Sequence, residues 1–212
     1  MTKSLTGNPT LVDPGFDVPP SNPMSLFRRW LEDAERLDVQ EPRALILSTI
    51  NIQGNTQVQP SSRVVFLRSC NDAGIIFATG SSSAKGKDLT INPSASGTLW
   101  WPKIIQQINF QGQAFPLPPE ESDAIFQLRT REAQSVAVVS QQSTPLTNEN
   151  ELKEQILNLM NSKSKIDRPK DWQAYHLAID VIEFWHGSTD RFHKRLRYNL
   201  VKGSWQYQRL QP

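Results

Sequence analysis

Arg191, His193, Arg195 and Arg197 stand at every second position near the C-terminus, within IEFWHGSTDRFHKRLRYNLVKGSWQYQRLQP, residues 182 to 212. If Arg191 to Tyr198 is a β-strand, side chains alternate between its faces, and these four project to one side. Phe192 and Leu196 then turn toward the core. The outward row holds three fixed cations and one titratable imidazole, with Trp185 before it and Trp205 after it. Guanidinium groups grip carboxylate or phosphate in pairs and stack on rings, so such a wall suits a small, planar, anionic ligand.

Other positions carry the same chemistry. Arg63 opens the hydrophobic run VVFL, where a strand would aim its guanidinium. The stretch Thr79 to Lys85 (TGSSSAK) follows the apolar run GIIFA and opens a short helix. Hydroxyls, free N–H groups at a helix start and a lysine are what a phosphate requires. Gln106, Gln107, Gln142 and Ser143 add amide and hydroxyl groups able to read a polar heterocycle edge. Taken singly, each has a plainer explanation as a surface lysine, a helix cap or a strand-end amide. Together with the cationic strand they point to a ligand.

Competing chemistries lack their residues. His176, His186 and His193 are dispersed, without the neighbouring Cys or carboxylate spacing of a metal site, so none is expected. There is no G-x-S-x-G elbow, no P-loop and no G-x-G-x-x-G turn. A nucleotide-like cofactor must then be held by strands and side chains.

The elements that position these residues read as mainly β with flanking helices, antiparallel. A proline-rich arm over 1–22 is expected to be mobile, followed by one domain over 23–212. Ser21 or Asn22 caps a first helix, with Phe27, Trp30, Leu31, Ala34 and Leu37 at helical spacing. ALILSTI, SRVVFLRS, GIIFAT, GTLWW and QQINFQGQAF are strand-like runs parted by turn residues. Connections this short make antiparallel neighbours, and a succession of them suggests a small barrel or meander. Helices are expected over Pro118 to Arg131 and from about Thr147, with a brief apolar run at Val136 to Val139 between them. Tyr175 to Phe184, Arg191 to Tyr198 and Ser204 to Leu210 complete the strands.

Composition narrows the partners. Lys and Arg number 23 against 21 Asp and Glu, a net charge of +2, so no nucleic-acid partner is expected. The single cysteine, Cys70, excludes an internal disulfide and fits a reducing compartment. Residues 1–11 lack the apolar stretch of a signal peptide, and no apolar run is long enough for a membrane span. A cytoplasmic protein without a membrane partner is expected.

In order, R-V-V-F-L-R, F-A-T-G-S-S-S-A-K, Q-Q-I-N-F-Q-G, S-Q-Q-S, E-F-W…R-F-H-K-R-L-R-Y and a terminal W-x-x-x-R-L-x-P resemble the pyridoxamine 5′-phosphate oxidase family from Pro23 to Pro212. The resemblance implies an FMN-binding split β-barrel and a homodimer with FMN at the subunit interface. It assigns Arg63, Val64, Val65, Phe66, Ala78, Thr79, Ser83, Lys85, Gln107, Gln142, Ser143, Trp185 and Arg195 to the flavin. Arg191 and His193 take the catalytic positions that face the substrate over it.

Departures from the family pattern bear on the substrate. Where the vitamin enzymes grip a substrate phosphate with Lys, Tyr, Arg and Ser, this chain has Arg68, Ile125, Arg129 and Ala133. Each lost hydrogen bond to a charged group costs about 1.5–3 kcal/mol. Two such losses weaken pyridoxine phosphate binding by roughly two to four powers of ten. Ala84 also stands where the family usually carries an Arg beside the lysine. A kept flavin site with an eroded phosphate site resembles the phenazine-pathway branch, whose flavoproteins oxidise reduced tricyclic carboxylic acids and pass electrons to dioxygen. The residues expected to bind substrate are Arg68, Ile125, Arg129, Ala133, Arg191 and His193. An orthodox pyridoxamine/pyridoxine phosphate oxidase is the alternative, and a non-catalytic flavin carrier a third reading. A carrier has no need of a second ligand wall.

Overall fold

The computed structural model describes residues 15–53 and 57–212. Its elements are α1 (Pro23–Arg36), β1 (Ala44–Gln53), β2 (Gln57–Phe66), β3 (Ser69–Cys70), β4 (Gly74–Gly80), α2 (Ala84–Ile91), β5 (Ser94–Trp101) and β6 (Gln106–Pro116). There follow α3 (Pro119–Gln127), α4 (Arg131–Val139), α5 (Glu149–Asn161), β7 (Trp172–His186), β8 (Lys194–Val201) and β9 (Ser204–Leu210). The strands form one antiparallel sheet in the order β2-β1-β5-β6-β7-β4-β3. Strand β8 joins β7 as well, and β9 joins β8.

The fifteen-residue β7 organises this sheet. One edge pairs along β6, while the other is shared: β4 takes Trp172 to Ala178 and β8 takes Val181 to His186. A bulge opposite Gln111 and Gly112 separates the two halves and leaves Asp180 unmatched. Gly112 is required there, because a Cβ would lie 1.9 Å from the carbonyl oxygen of Ala178.

Alternation fills the interior. Leu45, Leu47, Leu99, Trp101, Ile108, Phe110, Ile182, Phe184, Leu196 and Tyr198 are buried, and α1 closes the barrel with Met24, Phe27 and Trp30. Phe27 meets Phe110 edge-on at 6.1 Å, and Trp30 meets Phe184 at 5.3 Å. A second, smaller core under α3 and α4 holds Phe126, Ile166, Trp172 and Ala174.

Several expectations are corrected. The apolar run at Val136 to Val139 is the end of α4, which Thr130 opens by accepting from the Ala133 N–H at 3.3 Å. The helix expected from about Thr147 is α5, which starts at Glu149 and is capped by Asn148, whose Oδ1 accepts from the Glu151 N–H. The strand expected from Arg191 begins at Lys194. Arg191 itself has φ of 66°, the left-handed region, and Phe192 is 66% exposed. The alternation argument therefore holds for Arg195, Leu196 and Arg197 only. The SRVVF segment pairs with β1, and only the short β3 pairs with β4. Most of the expected mobile arm lies outside the described residues. Its last part is packed: Phe16 is buried and stacks on Trp30 at 5.7 Å, and the Tyr198 hydroxyl donates to the Pro20 carbonyl at 3.0 Å.

Candidate active site

The first cluster lies where β4 turns into α2. Ser83 is fully buried; it accepts from the Gly86 N–H at 3.3 Å and donates to the Gly80 carbonyl at 2.7 Å, capping α2. Gly86 admits this close turn, for a Cβ would sit 2.3 Å from the Gly80 oxygen. Gln142 Oε1 accepts from Thr79 Oγ1 at 3.2 Å and from Lys85 Nζ at 3.3 Å. Ser143 Oγ accepts from the Ala84 N–H at 3.2 Å. Residues 142 and 143, far away in sequence, thus meet the Thr79–Lys85 turn. Burial pushes Lys85 below its ordinary value, and the nearby positive charge of Arg63 pushes it further. Two cations held this close are a ready anion site.

Arg63, on β2, donates to Thr49 Oγ1 at 2.7 Å and to Ser61 Oγ at 2.8 Å. Val64 and Phe66 are exposed, at 66% and 45%. Val65 points into the core instead, so only its backbone is available to a ligand. Strand β2 is a sheet edge, which leaves such backbone groups open. Ala78 is half-buried on β4 and packs on the smaller core.

The second cluster crosses the sheet. Gln107 on β6 pairs with Trp185 on β7, which pairs with Arg195 on β8. Trp100 lies opposite Gln107 on β5, its ring 6.1 Å from that of Trp185. Ile46, Thr98, Trp100, Gln107 and Trp185 line a cavity of about 620 Å³. Trp100, Thr98 and Glu183 were not singled out in the sequence, although the alternation in GTLWW places Trp100 outward. Glu183 accepts from Arg195 Nε at 2.7 Å and fixes its direction.

His193 lies over this wall, its ring 4.8 Å from Trp185. Its Nδ1 accepts from the Ser188 N–H at 3.1 Å. In the neutral ring the proton then sits on Nε2, which is left as the donor. Arg191 is carried by the same loop, where Asp190 Oδ1 accepts from the Phe192 N–H at 2.8 Å.

The third cluster joins Arg68, from the β2–β3 connection, to Arg129, between α3 and α4. Arg129 Nη2 donates to the Ala133 carbonyl at 2.8 Å, and its guanidinium lies 5.3 Å from the Trp172 ring centre. Ala133 therefore contributes backbone here, and Ile125 packs on the smaller core that holds Trp172. Arg68 stacks on Phe66 at 4.8 Å. Both arginines have a buried Nε without a hydrogen-bond partner. Among the described residues neither has a carboxylate partner.

The clusters do not all meet within one chain. Thr79 pairs with Gln173 of β7, and Trp185 lies twelve residues further along the same strand. That is a contour of roughly 40 Å at about 3.3 Å per residue.

Fold and site together define a split-barrel protein with a cationic corner, an aromatic wall and a separate pair of arginines. The chain belongs to the pyridoxamine 5′-phosphate oxidase family. Pyridoxamine 5′-phosphate oxidase matches residues 31–185, and the pyridoxine 5′-phosphate oxidase C-terminal dimerisation region matches residues 172–212. Dihydrophenazinedicarboxylate synthase of Pseudomonas chlororaphis is 37% identical over 212 residues, covering 100% of this chain and 94% of that protein. Pyridoxine/pyridoxamine 5′-phosphate oxidase of Synechocystis is 36% identical over 193 residues, covering 90% of this chain and 88% of that protein. The crystal structure of PhzG from Burkholderia lata 383 in complex with tetrahydrophenazine-1-carboxylic acid superposes with a TM-score of 0.89. It is 37% identical and covers 96% of this chain and 98% of that one.

The residues present fit FMN. The Arg63–Lys85 corner with its hydroxyls and N–H groups suits a phosphate, and the cavity beside Trp100, Gln107 and Trp185 suits a planar ring with polar edges.

Proposed function

We propose that this protein is an FMN-dependent oxidase of phenazine biosynthesis. Its substrates are reduced (dihydro or hexahydro) phenazine carboxylic acids, oxidised toward the aromatic phenazine with dioxygen as electron acceptor. The observation that carries this reading is the Arg68–Arg129 pair, buried at both Nε atoms and held against the rings of Phe66 and Trp172. Two guanidiniums set on aromatic rings suit a planar aromatic carboxylate, which can pair with the cations and lie beside the rings. The relatives named for dihydrophenazinedicarboxylate synthesis and for a tetrahydrophenazine carboxylate complex support it. The alternative, pyridoxine 5′-phosphate oxidation, lacks the hydroxyl donors at Ile125 and Ala133.

The working unit in this reading is a homodimer with FMN at the subunit interface. One subunit supplies Arg63, Thr79, Lys85, Gln142 and Ser143; the other supplies Gln107, Trp185 and Arg195, with Arg191 and His193 over the ring. The C-terminal dimerisation region and the separation of the clusters along β7 support this arrangement. FMN, when bound, supplies a two-electron acceptor that dioxygen reoxidises. The protein orients the substrate: Arg68 and Arg129 hold its carboxylate, Ile125 and Phe66 exclude water beside it, and His193 offers Nε2–H to a ring nitrogen or carboxylate.

Anaerobic mixing of the FMN-loaded protein with a dihydrophenazine carboxylate tests the proposal. The flavin absorbance is expected to bleach, and to return on admitting air. Bleaching by pyridoxine 5′-phosphate but not by the phenazine would overturn it.

A further inference from the structure

Asp88 lies on α2 one turn beyond Lys85 and is 2% exposed. A buried carboxylate must be satisfied, and Asp88 is: Oδ2 accepts from Thr49 Oγ1 at 2.7 Å and Oδ1 from Asn51 Nδ2 at 2.9 Å. A hydroxyl carries one proton, and an ionised carboxylate can only accept. The Thr49 proton is therefore committed to Asp88, so the Thr49 oxygen presents lone pairs to Arg63. Arg63 Nη1 donates to that oxygen at 2.7 Å, and Nη2 donates to Ser61 Oγ at 2.8 Å. Thr49 and Ser61 are register partners in β1 and β2, so the guanidinium is tied across a strand pair. Arg63 Nη2 lies 3.9 Å from Asp88 Oδ2, which makes Asp88 a counter-charge as well.

We propose that Asp88, acting through Thr49, is a positioning residue that aims Arg63 at the cofactor phosphate and offsets the repulsion between Arg63 and Lys85 until that phosphate arrives. This rests on the reading of Arg63 and Lys85 as the phosphate corner. The sequence singled out neither Asp88 nor Thr49, because a polar residue inside a strand and an acid in a short helix carry no signal alone.

The test titrates the full-length apoprotein with FMN and, separately, with riboflavin, which lacks the phosphate, following flavin fluorescence. Thr49→Val is expected to reduce the preference for FMN over riboflavin roughly tenfold, the worth of one charge-assisted hydrogen bond. Riboflavin affinity should stay unchanged, and Thr49→Ser should restore the preference. Asp88→Asn should act in the same direction. Equal weakening of both flavins would make the pair a mere scaffold and overturn the proposal. So would unchanged titrations of Thr49→Val alongside a collapsed preference in Arg63→Met, which would leave the phosphate corner standing. An unchanged preference in Arg63→Met would overturn the phosphate-corner reading, and this proposal with it.

Discussion

Arg68 and Arg129 are two like charges packed into one partly buried corner, and the charge of Arg68 lowers the basicity of Arg129. Burial lowers Arg129 first and the charge of Arg68 lowers it further, to about 10. Burial alone lowers Arg68. Neither Nε has a partner, while Trp172 and the Ala133 carbonyl hold Arg129 in place. Such an arrangement costs folding free energy and is relieved by an anion. It is a site kept at the expense of stability, which favours a ligand role over a structural one.

Replacing Arg129 with Met should therefore separate binding from stability. Loss of one charge-assisted contact, about 1.5–3 kcal/mol, weakens binding of a phenazine carboxylate roughly tenfold to a hundredfold. Thermal stability without ligand should not fall. Calorimetric titration and a melting curve on the same preparation check both outcomes; unchanged affinity would remove Arg129 from the substrate site.

Arg191→Met should slow substrate reduction of the flavin while leaving FMN bound, because Arg191 sits on the loop with His193, whose ring lies 4.8 Å from that of Trp185. Stopped-flow bleaching and the flavin content of the purified variant measure the two effects. Loss of flavin instead would move Arg191 to the cofactor.

Ile125→Tyr combined with Ala133→Ser restores two hydroxyls beside Arg129. Both positions are half-buried and lie outside the main core, so the larger side chains do not overpack it. Pyridoxine 5′-phosphate binding should improve by roughly two to four powers of ten at about 1.4 kcal/mol per decade. An unchanged dissociation constant would show that these positions do not exclude the vitamin substrate.

A mixed dimer tests the shared site. One subunit carries Lys85→Met, the other Arg195→Met, and each variant alone binds FMN weakly at both sites. If each site draws on both subunits, the heterodimer contains one doubly impaired site and one intact site. Tight binding of one FMN per heterodimer is expected; none would mean that each chain builds its own site.

His186 supplies a pH dependence. Burial, with the charge of Lys194 adding to it, holds His186 below its ordinary value of 6.5, and its Nδ1 is buried without a partner. Between the folded value and 6.5 the unfolded chain binds a proton that the folded chain refuses. Stability is then full above 6.5 and falls as pH drops through that window. Burial lowers His176 too, against the opposing charge of Glu121, so its contribution has the same sign. His186→Gln should flatten, without abolishing, the decline in melting temperature on acidification from pH 7 to 5.

Much of the fold was legible because local chemistry and tertiary packing agree. Asn22 and Pro23 open α1 where the capping pattern placed it, and Ser204–Leu210 is a strand with the expected bounds. The misreadings have physical causes. Ser188, Thr189 and Asp190 form a turn whose Asp190 side chain takes the Phe192 N–H, and this local bond competes with the sheet ladder. Arg191 was assigned to a strand because its period-two spacing outweighed that turn signal. Helix α4 is hidden in the sequence because its apolar residues sit at its end while Thr130, its cap, stands only three residues past the end of α3.

The sequence by itself determined the family, the barrel and the residue types of the ligand sites, since motif order and alternation survive without coordinates. Only the tertiary structure decided which of those residues act together. It brought Gln142 and Ser143 onto the Thr79–Lys85 turn, set Arg68 against Arg129, and tied Arg63 to Asp88 through Thr49. It also placed Trp185 twelve residues along β7 from Gln173, the register partner of Thr79. Those relationships depend on strand register and helix docking, which join positions distant in sequence, and no local pattern encodes them.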